Sequence, residues 1–177
     1  MARWLSSIAM PLALLGASVS TAHACSIVQS AFQPRQEDFN RPEKGDNWEP
    51  IPAPIVEVTR LTRGDFSGTA GDCSDIGWLV LDFSLPSGSG YRIEDFGVYF
   101  RVKRGVVPSV DMFRDAPLAG DIENGKLRIA LYWEDDDRSE QAPLDLDVET
   151  FLVAPDLSIG ASTVLTVKEK RDTLQVK

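Results

Sequence analysis

Two stretches of the chain alternate apolar and polar residues with a period of two. In Gly77-Trp-Leu-Val-Leu-Asp-Phe-Ser-Leu-Pro86, Leu79, Leu81, Phe83 and Leu85 interleave with Trp78, Val80, Asp82 and Ser84. In Phe96–Arg104, Phe96, Val98, Phe100 and Val102 interleave with Gly97, Tyr99, Arg101 and Lys103. Successive side chains of a strand point to opposite faces, so each run predicts a strand with one buried and one outward set. Ser87-Gly-Ser-Gly90 between them is a turn or a sheet-to-sheet crossing.

Other runs repeat the pattern. Ile55–Leu61 is a first strand with Val56 and Val58 inward, and Val106–Phe113 is a short edge strand started or bent at Pro108. Asn124-Gly125 is a hairpin turn signal, and behind it Leu127, Ile129, Leu131 and Trp133 share one face. Leu144–Ala154 puts Leu144, Leu146, Val148 and Leu152 inward, and Ser162–Lys168 closes the series with Thr163, Leu165 and Val167. Leu81, Phe83, Val98, Phe100, Ile129, Leu131 and Val148 form the expected core. Residues 25–53 lack any such period and carry Pro34, Pro42, Pro50 and Pro52; they predict an irregular arm that packs Phe32, Phe39 or Trp48 on the body. No amphipathic helix is predicted after the N-terminal segment. Seven strands with turns between them make an all-β, two-sheet Greek-key sandwich.

Leu144–Val167 also resembles the closing F–G hairpin of fibronectin type III domains, through its alternation, Val153-Ala-Pro-Asp156, Gly160 and a Ser/Thr-rich last strand. Trp78 and Tyr99 are similar in placement, whereas Thr150-Phe151 stands where the family has its F-strand tyrosine. The resemblance spans residues 54–168 and implies a seven-stranded immunoglobulin-like (fibronectin type III-like) sandwich. It also implies that Leu144–Ala154 pairs with Phe96–Arg104. Such a fold does not dictate a function.

The N-terminus changes the compartment. Met1-Ala-Arg3, an apolar run from Trp4 to Val19, and Ala22-His-Ala24 predict a signal peptide, residues 1–24, cleaved after Ala24. The expected organisation is then arm 25–53, sandwich domain 54–170 and tail 171–177. The product is an exported protein, periplasmic or secreted, monomeric and not inserted in the membrane. Cleavage removes Arg3 and His23, the single histidine, and takes the net charge from −9 to −10. Without imidazole, Ser-His-Asp and Cys-His catalysis are excluded and zinc or copper sites lose their commonest ligand. The acidic balance argues against nucleic acid and anionic membrane surfaces.

Three clusters invite chemistry. Arg63-Gly64-Asp65 is a tripeptide that adhesion receptors read on exposed loops, and equally an ordinary glycine turn. Glu134-Asp-Asp-Asp137 has the oxygens for Ca²⁺ but not EF-hand spacing, and dense loop carboxylates are commonly just hydrated. Asp145, Asp147 and Glu149 share an outward face; as acid and base they would make a glycosidase-like pair. Opposite Arg101 and Lys103 they make a cross-strand ion-pair ladder instead. Trp48, Trp78, Tyr91 and Tyr132 could line a ligand surface or cap the core. These weigh toward a non-enzymatic interaction or structural module of the bacterial cell envelope, with no cofactor and an unidentified protein or envelope partner. The alternatives are a carboxylate-dependent hydrolase and a calcium-stabilised adhesin fragment.

Cys25 and Cys73 complete the reading. In an exported chain two cysteines predict one disulfide; a lipid-modified Cys25 would want a leucine three residues upstream, where Ala22 stands. The bond closes a loop of about 48 residues and contributes about 3–4 kcal/mol on the chain-entropy model. Mass spectrometry of the exported protein is expected to find Cys25 joined to Cys73. Two free thiols, or a diacylglyceryl adduct on Cys25, would refute the pairing.

Overall fold

The computed structural model describes residues 29–35, 37, 39–65 and 73–169. The expected signal peptide, its cleavage point at Ala24, Cys25 and the 171–177 tail lie outside these residues. Among the described residues there is no α-helix, only nine strands and a short 3-10 turn at Ile93–Asp95. The strands are β1 (Glu43–Lys44), β2 (Asn47–Trp48), β3 (Ile55–Thr62), β4 (Ile76–Ser84), β5 (Gly97–Arg104), β6 (Asp121–Glu123), β7 (Lys126–Glu134), β8 (Asp145–Val153) and β9 (Ile159–Lys168). They form three antiparallel sheets: β1-β2, β3-β4-β7-β6 and β5-β8-β9.

The two larger sheets face each other because each carries one apolar face. Leu79, Leu81 and Phe83 of β4 pair in register with Leu131, Ile129 and Leu127 of β7, and all are at most 2 % exposed. Across the interior stand Val98 and Phe100 of β5 and Leu146, Val148 and Leu152 of β8, in the same apolar cluster. The rings of Phe83 and Phe100 meet edge to face at 6.0 Å, a favoured aromatic geometry. Every one of the seven expected core residues is buried. Gly77 is needed for the packing, since a Cβ there would collide with the Trp133 indole. Asn124 (φ 52°) and Gly125 (φ 75°) supply the left-handed backbone of the β6–β7 hairpin.

The differences from the sequence-based picture have local causes. Nine strands in three sheets replace the expected seven. Val106–Phe113 is not a strand: Gly105 (φ 95°) turns the chain out of β5, Pro108 has no N–H to donate, and the segment runs in bends. Its Met112 is wholly buried and Phe113 packs 5.4 Å from Phe100, so it closes the core as a plug. Val58 and Val102, expected inward, are exposed; each stands where a β-bulge begins, at Val58/Arg60 and Val102/Arg104.

The arm is not wholly irregular. It forms the β1-β2 hairpin, and Ala31 bridges to Leu118, which bridges in turn to Val98 of β5. Phe32 lies over Gly97, where a Cβ would collide with its ring. Phe39 stacks on Tyr91, with Phe96 edge-on to both, whereas Trp48 is 56 % exposed. Ile51 is buried against Gly160, and Ala161 N–H donates to its carbonyl at 3.1 Å.

Phe100→Ala removes a fully packed ring from between the sheets and is expected to cost about 3–5 kcal/mol in urea unfolding. Val164→Ala, at a side chain 58 % exposed, is expected to change stability by less than about 0.5 kcal/mol. Equal effects would mean that the sheets do not pack on the faces described.

Candidate functional site

The outward face of β5-β8 holds the carboxylates that suggested acid–base chemistry. Register sets Arg101 opposite Glu149 and Arg104 opposite Asp147. Arg101 donates two hydrogen bonds to one Glu149 oxygen (2.9 and 2.5 Å), and Lys103 lies 3.7 Å from the same atom. Arg104 spans Asp147 (2.6 Å) and Asp145 (2.8 Å), and Lys168 reaches Asp145 at 3.4 Å. The Ser162 hydroxyl donates to Glu149 and the Thr166 hydroxyl to Asp147. Phe151 carries the Arg101 guanidinium over its ring at 5.1 Å.

These contacts fix the protonation states. The Arg104 hydrogen bonds hold Asp145 and Asp147 below the usual carboxylate range. Ser162, then Arg101, do the same for Glu149. Asp147 and Asp145 push Arg104 further up. A general acid near neutral pH needs the opposite shift, and these groups lie on an open sheet face.

Arg63-Gly64-Asp65 follows β3, and the arginine points inward. Its guanidinium makes a two-pronged pair with Asp135 (2.6 Å each), bonds the Ala142 carbonyl (3.0 Å) and touches Glu169 (3.3 Å). Gly64 N–H donates to Asp135 (3.0 Å), and Gln141 donates to the Gly64 carbonyl (2.5 Å). The Arg63 and Asp135 side chains are 11 % and 1 % exposed, so within the tripeptide only Asp65 is on the surface. Burial alone would raise the Asp135 pKa, but the Arg63 and Gly64 hydrogen bonds outweigh it and hold the carboxyl low.

This pairing also changes the acidic loop. Asp135 is committed to Arg63, and Asp137 accepts from the N–H and hydroxyl of Ser139. Among the described residues no group of three or more His, Cys, Asp or Glu is placed to hold a metal ion. Nor is any helix among them long and apolar enough to cross a membrane. Cys73 is not a free thiol, but Cys25 lies outside the described residues and the pairing stands as a proposal. Of the aromatics, Tyr91 is core, Trp78 and Tyr132 pair at 6.1 Å on the outer face of the larger sheet, and Trp48 projects from β2.

Sequence reasoning missed one feature entirely. β3 and β9 are the edge strands of the two sheets and border one another, with Arg63 after β3 reaching Glu169 after β9 at 3.3 Å. Between them opens a groove of about 700 Å³, bounded by Val58–Asp65, Thr166–Glu169, Arg138 and Gln141. No periodic signal joins segments so far apart in the chain. No family model, curated protein or solved structure matches the chain.

Asp135→Asn leaves the Arg63 charge buried without its main partner and is expected to cost about 3–5 kcal/mol at pH 7. The unfolded carboxyl titrates near 4 and the folded one lower. Its stabilisation is therefore complete well above pH 4 and lost as the pH falls through the folded value. Urea midpoints at pH 7 and pH 3 should drop steeply for the wild type and less for the variant; equal drops would remove Asp135 from this role.

Proposed function

We propose that the chain is an exported, non-enzymatic interaction or structural module of the bacterial cell envelope, built on an immunoglobulin-like sandwich. In favour of the fold, β3, β4, β5, β6, β7, β8 and β9 taken as A to G give sheets ordered A-B-E-D and C-F-G, the constant-type arrangement. β1 and β2 are then additions from the arm.

One observation carries the functional reading: among the described residues two edge strands, β3 and β9, border a groove, while the dense carboxylates are tied into ion pairs. Open edges offer backbone hydrogen bonds to a partner. The hydrolase alternative needs two carboxyls flanking a bound sugar with one pKa raised; Asp145, Asp147 and Glu149 are shifted the other way. The calcium-stabilised adhesin alternative needs the carboxylates of Glu134–Asp137 for the ion, and Asp135 is tied to Arg63; receptor reading of Arg63-Gly64-Asp65 needs Arg63 displayed, and its side chain is 11 % exposed.

Affinity capture from envelope extract with the mature protein as bait is expected to retain a specific, saturable partner. A parallel screen of glycoside, ester and peptide substrates is expected to show no turnover. Turnover that disappears when Asp145, Asp147 and Glu149 are replaced together by Asn, Asn and Gln would sink the proposal in favour of the hydrolase.

A further inference from the structure

We infer that the groove between β3 and the second half of β9 is a strand-addition site, which binds an extended, acidic peptide segment of the partner alongside Val164–Lys168. This rests on the interaction-module reading above and specifies how the module would bind.

A sandwich of two open sheets has four sheet edges, and each unpaired edge is a template for another strand. β6 is an edge of three residues, too short to hold much. The outer edge of β5 carries Leu118 at one position, where its N–H and carbonyl exchange hydrogen bonds with Val98 at 2.8 and 2.9 Å, and Ala31 adds outside it; Arg101 and Arg104 farther along β5 are tied into the ion-pair ladder. The first half of β9 is covered by the segment before β3, through Ala161 N–H to Ile51 and the Thr163 hydroxyl to Pro54. Among the described residues, β3 and the second half of β9 are the edges that border the groove.

β9 is the better template. β3 is interrupted by its bulge between Val58 and Arg60, which breaks the even spacing that pairing requires. From Ser162 to Lys168, β9 stays in unbroken register with β8. The chain's own Ile51 and Pro54 carbonyls already accept hydrogen bonds from the first half of this edge, one from a backbone N–H and one from a hydroxyl, before the chain enters β3 in the other sheet. The free length, Val164–Lys168, spans about 17 Å at ~3.3 Å per residue. Val164 is 58 % exposed along it.

Charge selects the occupant. In this acidic chain the groove holds two arginines, Arg60 and Arg138, that have no ion-pair partner among the described residues. The other charges around it are engaged: Arg63 with Asp135 and Glu169, Lys168 with Asp145. Asp65, at the mouth, is exposed and also has a contact of its own. Two unmatched cations beside an open strand edge favour a strand that carries carboxylates. Backbone pairing supplies the affinity, and Arg60 and Arg138 supply the choice.

The test is fluorescence anisotropy of the mature protein with a labelled peptide of alternating valine and glutamate. Controls are a valine–lysine version and a version N-methylated at alternate amides. The acidic probe is expected to bind and to slow amide exchange at Val164–Lys168. Binding should weaken at least tenfold for the lysine probe, the methylated probe, and the double variant Arg60→Glu, Arg138→Glu. Both arginines are exposed, so the urea midpoint of that variant should stay near wild type and separate lost binding from lost fold. Equal binding of the lysine probe, undiminished binding by the double variant, or no binding at millimolar probe overturns the inference. So does dimerisation abolished by the double variant, which would assign the groove to a second copy. Binding gained only after removal of residues 170–177 would assign it to the chain's own end and overturn it too. If the double variant still captures the envelope partner, the groove is wrong and the module reading stands; if wild type captures nothing, the module reading itself fails.

Discussion

The structure depends on two apolar sheet faces being pressed together, with Phe83 and Phe100 in contact at the centre. Once Leu79, Leu81 and Phe83 turn inward on β4, their neighbours Trp78, Val80 and Asp82 must turn outward. The same constraint on β5 and β8 places Arg101, Lys103, Asp147 and Glu149 on one outer face, where strand register makes them neighbours. The ladder is thus a by-product of burying Val98, Phe100, Leu146 and Val148. Asp82 follows the same logic on the other sheet: it is outward-facing yet 6 % exposed, because Arg128 lies across it with hydrogen bonds of 2.7 and 2.9 Å.

Faces account for the core, and ends account for its closure. Beyond the buried Trp133 of β7 and Val167 of β9 the chain turns polar, and there Arg63 joins the strand ends. It ties the end of β3 to the loop after β7 through Asp135, and to the end of β9 through Glu169. A buried ion pair is not necessarily more stable than an apolar contact. What it adds here is direction: the end of β3 and the loop after β7 must meet in one arrangement for these hydrogen bonds of Asp135 and Gly64 to be made.

Much of this was legible in the sequence, for a physical reason. Period-two patterning reports which face is buried, so all the full-length strands and the seven core residues could be read from it. Strand pairing, taken from a resemblance, then set Arg101 and Lys103 opposite Asp145, Asp147 and Glu149. What failed was anything that breaks the period. A bulge leaves no mark in the pattern, so Val58 and Val102 looked like core. Val106–Phe113 is as apolar as a strand, but Gly105 and Pro108 remove the backbone conformation and the N–H that a strand would use. The β1-β2 hairpin is too short to show a period. The candidate site was hardly legible at all. Arg63 and Asp135 are 72 positions apart, and the tripeptide around Arg63 resembled a surface motif because sequence reports adjacency along the chain, not which way a side chain turns.

The unmatched arginines bring together two requirements that an exposed edge places on a sandwich. An edge strand must discourage indiscriminate pairing, and a positive side chain held beside it does so at small cost in stability. At net charge −9 another copy of this molecule is acidic overall. In physiological salt the repulsion between copies and the attraction of Arg60 and Arg138 both act within about 8 Å, but the repulsion is spread over the whole surface whereas the two arginines act within the groove. A whole acidic protein is therefore held off while a thin acidic strand is drawn in. The discrimination we infer is by shape as much as by charge, because an extended segment paired along β9 would bring its carboxylates to those two side chains.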